Sequence, residues 1–173
     1  MDETGHTFRA RVGTTWVPVG QPPVLPRVSK RREVSSIVVL TAPLEGGAPR
    51  LYARHFVGSI HGAEVIAALR IFRRRIGRSL IVVWGHLQAH KARAVTEFLA
   101  AHPEDFAVEW LPGYAPDLNP EEQCNAVVKN ALLNALPDSV EEMRAQVRRE
   151  FRRLARRPDV LRGFFRRAGL DVK

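Results

Sequence analysis

The stretch Tyr114–Glu122 reads Tyr-Ala-Pro-Asp-Leu-Asn-Pro-Glu-Glu and sets two adjacent carboxylates just behind a stiff turn. Asn119 followed by Pro120 is a helix-start signal, because Asn caps free backbone N–H groups and Pro suits the first helical position. Carboxylates held at a fixed place in a basic chain suit divalent-ion chemistry on nucleic acid, since hard cations take oxygen ligands and bridge them to phosphate. The same residues have a use that needs no metal. Glu122 falls three residues after the cap, where a capping-box carboxylate bonds back to the cap's own N–H.

Two further groups of residues have chemical potential. The apolar run Leu80–Trp84 leads into Gly85-His86-Leu87-Gln88-Ala89-His90. In open α/β sheets ligands gather beyond the carboxyl ends of strands, so His86 and His90 are candidate site residues, although loop histidines more often cap or hydrogen-bond. Asp2-Glu3-Thr4-Gly5 opens the chain and taken alone says little, since acids at chain ends are common.

The elements that must position these groups follow from periodicity. Cys124, Val127, Val128, Ala131, Leu132, Ala135 and Leu136 form one apolar helix face. At roughly 100° per residue, Glu121 projects onto the core side of that helix and Glu122 onto the opposite side. A buried Glu121 then needs a metal, a cation or an open end. Ser36–Thr41 and Arg50–Phe56 read as a hairpin around Gly46-Gly47. Residues 60–76 carry a helical stripe, with Arg70, Arg73, Arg74, Arg75 and Arg78 on its other side. Leu80–Trp84 reads as a strand buried on both faces. Residues 89–101 read as a helix and Phe106–Leu111 as a strand. The order β-β-β-α-β-α-β-α is mixed α/β, with the later strands parallel.

Composition narrows the partners. The chain has 173 residues, 27 Lys and Arg against 18 Asp and Glu, and a formal charge of +9. Such an excess favours an anionic partner through phosphate neutralisation, with a solvated arginine surface as the alternative. Residues 138–173 hold eleven basic residues against six acids on a helical pattern of Met143, Val147, Phe151 and Leu154, a candidate phosphate-contacting arm. Arg27, Lys30, Arg31 and Arg32 form another basic run. Cys124 is the single cysteine, which excludes an internal disulfide and a Cys-rich zinc site and fits a cytoplasmic setting. No apolar run reaches the roughly 20 residues of a membrane span.

Taken together, these residues resemble the catalytic domain of DDE-type transposases of the insertion-sequence family six-thirty, relatives of the mariner group. Asp2-Glu3-Thr4-Gly5 resembles the family's first acidic motif. Thr15-Trp16-Val17-Pro18-Val19-Gly20-Gln21 resembles its Thr-Trp-Ala-Pro-x-Gly-Gln loop. Val82 to His90 resembles the strand and loop of the second acid, with His90 in register. Tyr114 to Glu122 matches the third motif, Pro-Asp-Leu-Asn-Pro-x-Glu, and Lys129 is in register on the helix that follows.

The resemblance implies an RNase H-like fold, a mixed five-stranded sheet flanked by helices. It divides the chain into a catalytic domain over residues 1–137 and a basic helical tail over 138–173 packed on it. It implies DNA cleavage and strand transfer with two Mg2+ or Mn2+ ions. Asp2 and Glu122 become the catalytic, metal-holding acids, with Glu121 as second choice. Arg73, Arg74, Lys91, Lys129, Arg148 and Arg152 become DNA contacts, and Glu3, His86, His90 and Asn119 line the site. DNA is the implied partner, with a homo-oligomer or a mixed oligomer with intact transposase. Three departures stand out. Gly85 occupies the place of the second catalytic aspartate. Asn125 replaces a tryptophan, and Glu121 stands where members carry an apolar residue. The chain begins one residue before the first acid, so a shortened first strand and an absent helix-turn-helix region are also expected. The expected activity is therefore weak or nil. The alternatives are a DNA-binding regulator of intact transposases and a residual metal-dependent nuclease.

Overall fold

Strand β2, Glu33–Thr41, organises the molecule because its alternating residues feed two different cores. It pairs antiparallel with β3, Arg50–Val57, as expected of the hairpin, with Val38 opposite Ala53. Gly46 and Gly47 carry the connection at φ of 83° and 130°, a region that side chains disfavour. On its other edge β2 pairs antiparallel with β1, Asp2–Thr7, which sets Asp2 opposite Val38 and Glu3 opposite Ile37. The computed structural model that shows this describes residues 1–7, 14, 16–21, 24, 33–43, 45–113 and 115–172. Thr15, Arg27, Lys30, Arg31, Arg32, Tyr114 and Lys173 lie outside the described residues.

Val34 and Val38 face one layer, and Ile37 faces the other. The first layer holds α3 (Glu121–Ala131), α4 (Val140–Ala155) and α5 (Pro158–Arg167), packed through Cys124, Val128, Met143, Val147, Phe151, Leu154 and Leu161. The second holds α1 (Gly62–Ile76), β4 (Leu80–Trp84), α2 (Arg93–Ala100) and β5 (Phe106–Trp110). Strands β4 and β5 pair in parallel, with Trp84 opposite Trp110.

Several expectations change here. Among the described residues the strands form a three-stranded antiparallel sheet and a separate two-stranded parallel one, not a continuous sheet of five. Strand β1 runs its whole length along β2, and just before it the Met1 amino group donates to the Val83 carbonyl of β4 at 2.7 Å. Strand β4 is buried on one face only. Val82 and Trp84 are inside, whereas Ile81 is 60% and Val83 42% exposed. Helix α3 stops at Ala131 and leaves Val127 exposed, so its apolar stripe is narrower than expected. The basic tail is two helices, divided at Arg156 and Arg157 ahead of Pro158.

The first core also contains two imidazoles. His6 and His55 flank the Phe151 ring at 6.2 and 5.6 Å, and His55 Nδ1 is hydrogen-bonded to Ser36 Oγ at 2.8 Å. Burial, with Lys129 nearby, lowers the His6 pKa from 6.5 to about 4. Burial, then His6, Arg148, Arg144 and Arg54, lowers His55 to about 4 as well. Both rings are therefore neutral in the folded chain at neutral pH. Between pH 6.5 and 4 the unfolded chain binds more protons than the folded one, so stability falls as pH falls through that window. Each shift corresponds to about 3 kcal/mol at its acid limit. Urea midpoints of the wild type should drop from pH 7 to pH 4.5, and His55→Gln should flatten that slope. Parallel slopes would show that these rings do not titrate on unfolding.

Candidate active site

The alternation of β1 sends neighbouring acids to opposite sides. Asp2 shares its face with Val38 and turns toward α3, whereas Glu3 shares its face with Ile37 and turns toward the loop after β4. Asp2 lies close enough to both Glu121 and Glu122 for its charge to act on each. Its oxygens also face protein donors. Oδ1 accepts from the Glu3 N–H at 2.9 Å, and the Asn119 amide reaches Oδ2 at 3.4 Å.

The start of α3 is built by Asn119. Pro116–Leu118 form one 3-10 turn, and the Asn119 N–H closes it on the Pro116 carbonyl at 3.0 Å. Asn119 has an extended backbone and its Oδ1 accepts from the Glu121 N–H at 3.2 Å, as a helix cap does. The expected capping box is absent, because the cap N–H that Glu122 would accept is already given to Pro116. Glu122, half-buried, has no capping duty. Burial, then the charge of Asp2, raises its pKa, and Lys129 opposes the rise.

Glu121 is 1% exposed and Asn125, one turn along, is 2% exposed. The Asn125 Nδ2 donates to Glu121 Oε2 at 2.9 Å. Glu121 Oε1 and Asn125 Oδ1 have no hydrogen-bond partner. Burial first, then Asp2, raises the Glu121 pKa well above the ordinary carboxyl range. Sequence reasoning singled out both residues as departures and missed that they bond to each other. Their i, i+4 spacing was the available signal.

The loop after β4 is fixed by a buried imidazole. His90, 1% exposed, stacks on Trp84 at 4.1 Å. Its Nδ1 donates to the Gly85 carbonyl at 2.8 Å, and its Nε2 lies 2.8 Å from Glu3 Oε1. His86 is exposed and stacks on Trp110 at 5.1 Å. Gly85 itself presents no side chain, and a Cβ there would meet nothing within 4 Å.

The basic residues do not form one group. Arg73 and Arg74 sit on α1, with Arg73 bound to Asp105 at 2.6 Å, and Lys91 is exposed just after His90. Arg148 and Arg152 are exposed on α4, in the opposite layer. Lys129, on α3, is near both Glu122 and His6.

Among the described residues, no three of His, Cys, Asp and Glu are arranged to hold a metal ion. The donor set explains why. Asp2 is engaged by protein N–H groups, Glu121 is bonded to Asn125, and Gly85 supplies no ligand. The residues present do not fit a centre for two ions.

Removing one partner of the Glu121–Asn125 pair leaves the other buried and unsatisfied, which costs about 1–3 kcal/mol, more when charged. Removing both can be neutral or stabilising. Asn125→Leu should therefore lower stability in urea by that amount, and Glu121→Leu with Asn125→Leu should recover most of it. Simple additivity of the two single variants would refute the pairing.

A comparison with curated proteins gave no match. The chain is similar in fold to solved structures of Mos1 transposase. The paired-end complex with left transposon end aligns at 16% identity and a TM-score of 0.58, over 99% of this chain and 55% of that one. The Mos1 strand transfer complex aligns at 18% and 0.57, over 92% and 51%. A Mos1 mariner paired-end complex with Mn aligns at 19% and 0.54, over 91% and 52%. The chain thus spans about half the length of these proteins. The family model described as DDE superfamily endonuclease matches residues 1–144. The chain belongs to the DDE superfamily endonuclease family.

Proposed function

We propose that this chain is the catalytic-domain portion of a DDE-type transposase whose metal-dependent DNA cleavage and strand transfer are impaired by Gly85. The observation that carries the reading is the meeting of Asp2 with Glu122, from opposite ends of the sequence, while His90 holds Gly85 at the end of β4. In this reading residues 1–137 form an RNase H-like catalytic domain and 138–173 its basic helical tail. Asp2 and Glu122 are the two surviving acids, Glu121 is held in the core by Asn125, and Glu3, His86, His90 and Asn119 surround them. The partner is DNA, contacted by Arg73, Arg74, Lys91, Lys129, Arg148 and Arg152. The setting is cytoplasmic, and no described helix is long and apolar enough to cross a membrane.

Mg2+ or Mn2+ bound by a full set of acids would stabilise charge on the attacking and leaving oxygens of the phosphodiester. Without the second acid that set is incomplete. Loss of one preorganised electrostatic element commonly costs ~10²–10³ in rate, and a metal-bridging carboxylate costs at least as much. The regulator reading, in which the chain binds DNA or joins intact transposase without cutting, draws on the same defect.

The open space at Gly85 makes the test direct, since a side chain there meets no atom within 4 Å. Nicking of supercoiled plasmid in Mn2+ should be negligible for the wild type and rise by ~10² or more for Gly85→Asp. The gain should vanish in Gly85→Asp combined with Asp2→Asn or Glu122→Gln. No gain from Gly85→Asp sinks the assignment of the second acid to this position.

A further inference from the structure

Helices α4 and α5 carry an arginine surface that neither the core nor the acids explain. They pack on β2 and β3 through Val147, Phe151, Leu154, Leu161 and Phe165, which leaves their arginines outside. Glu150 takes up Arg149 at 3.2 Å and Arg153 at 4.0 Å, and Asp159 takes up Arg157 at 3.5 Å. Arg148, Arg152, Arg156, Arg162, Arg166 and Arg167 are exposed and make no ion pair among the described residues. Arg148, Arg152 and Arg156 recur every four residues, a stripe about 12 Å long at 1.5 Å per residue. Like charges at that spacing destabilise a helix. The helix dipole favours Arg152 and Arg153 in the last turn of α4, but it does nothing for Arg148 or Arg162. An exposed surface that pays for such crowding is made for a polyanion.

The surface also leads somewhere. A cleft of about 110 Å³ lies between the end of α5 and the acid-bearing turn, lined by Asn119, Pro120 and Gln123 on one side and by Phe164 and Arg167 on the other. Asp117 borders the same cleft, yet Arg167 makes no ion pair with it. A guanidinium with free N–H groups suits a phosphate in its fork geometry. All six arginines lie beyond residue 144, where the family match ends.

We propose that the α4–α5 surface is a DNA backbone track that ends at Arg167 in the cleft beside Asn119, and so delivers a phosphodiester to the turn carrying Glu122. The track rests on the reading of DNA as partner. It works without metal and without the acids, so binding and cutting are separable.

Binding of the full chain to a labelled DNA duplex is measured in EDTA across a salt series. Each lost phosphate contact should reduce the slope of log affinity against log salt by about 1. Arg148→Gln/Arg152→Gln/Arg156→Gln should reduce it by about 3, and Arg167→Gln by about 1, whereas Arg93→Gln on α2 should leave it unchanged. Circular dichroism confirms that each variant keeps its helices. Unchanged slopes in the α4 and α5 variants overturn the track, as does tighter binding to an RNA duplex of the same length. If the slopes fall while Gly85→Asp gains no nicking, the track stands and the catalytic reading fails.

Discussion

A buried imidazole joins the two sheets. His90 lies flat on Trp84 at the end of β4, gives one N–H to the Gly85 carbonyl and meets the Glu3 carboxylate on β1. Beside it, the Met1 amino group donates to the Val83 carbonyl of β4 at 2.7 Å. The relative placement of the two strand ends that frame the candidate site rests on this ring, on that bond and on the packing of Ile37 with Val82 and Trp84. A hydrogen bond at a site 1% exposed is costly to leave half-made. This also explains how the loop keeps its shape with glycine at position 85. The contacts that hold it run through the Gly85 carbonyl and the His90 ring, and the side chain at 85 takes no part.

The same constraint divides labour along β1. Because strand residues alternate, Glu3 serves the joint while Asp2 faces α3, and neither can substitute for the other without a shift of register. A one-residue slip would bury Glu3 against Glu121 and turn Asp2 toward His90. The pairing of Thr4 with Ser36 and His6 with Val34, both inside the first core, resists that slip along the whole strand.

Local pattern made much of the fold legible. The hairpin followed from alternation around Gly46-Gly47, and α1 followed from its stripe of Val65, Leu69 and Phe72. These signals depend on neighbours a few residues apart. The division into two sheets does not. It turns on how β1 meets β4, about 80 residues away in sequence, and no periodicity encodes that. Nor could the run Leu80–Trp84 reveal that Ile81 and Val83 face solvent, since an apolar strand reads alike with one face covered or two. At the site, spacing suggested the capping box but could not show that Pro116 already takes the cap's N–H. The convergence of Asp2 with Glu122 was legible only through resemblance, because strand and helix come from opposite ends of the chain.

The two remaining departures meet each other in the structure. The resemblance places an apolar residue at position 121 and tryptophan at 125, and this chain has Glu and Asn. Had either exchange stood alone, a buried polar group would have lacked a partner, at a cost of about 1–3 kcal/mol. Together they bond at 2.9 Å and lower that cost, though Glu121 Oε1 and Asn125 Oδ1 stay unpaired. A carboxyl drawn into the core beside Asp2 is driven toward its neutral form by burial and by that neighbour. The helix start thus carries an acid that burial drives toward its neutral form, and Gly85 presents no side chain at the end of β4. Strand, loop and helix are held by contacts that need no side chain at position 85.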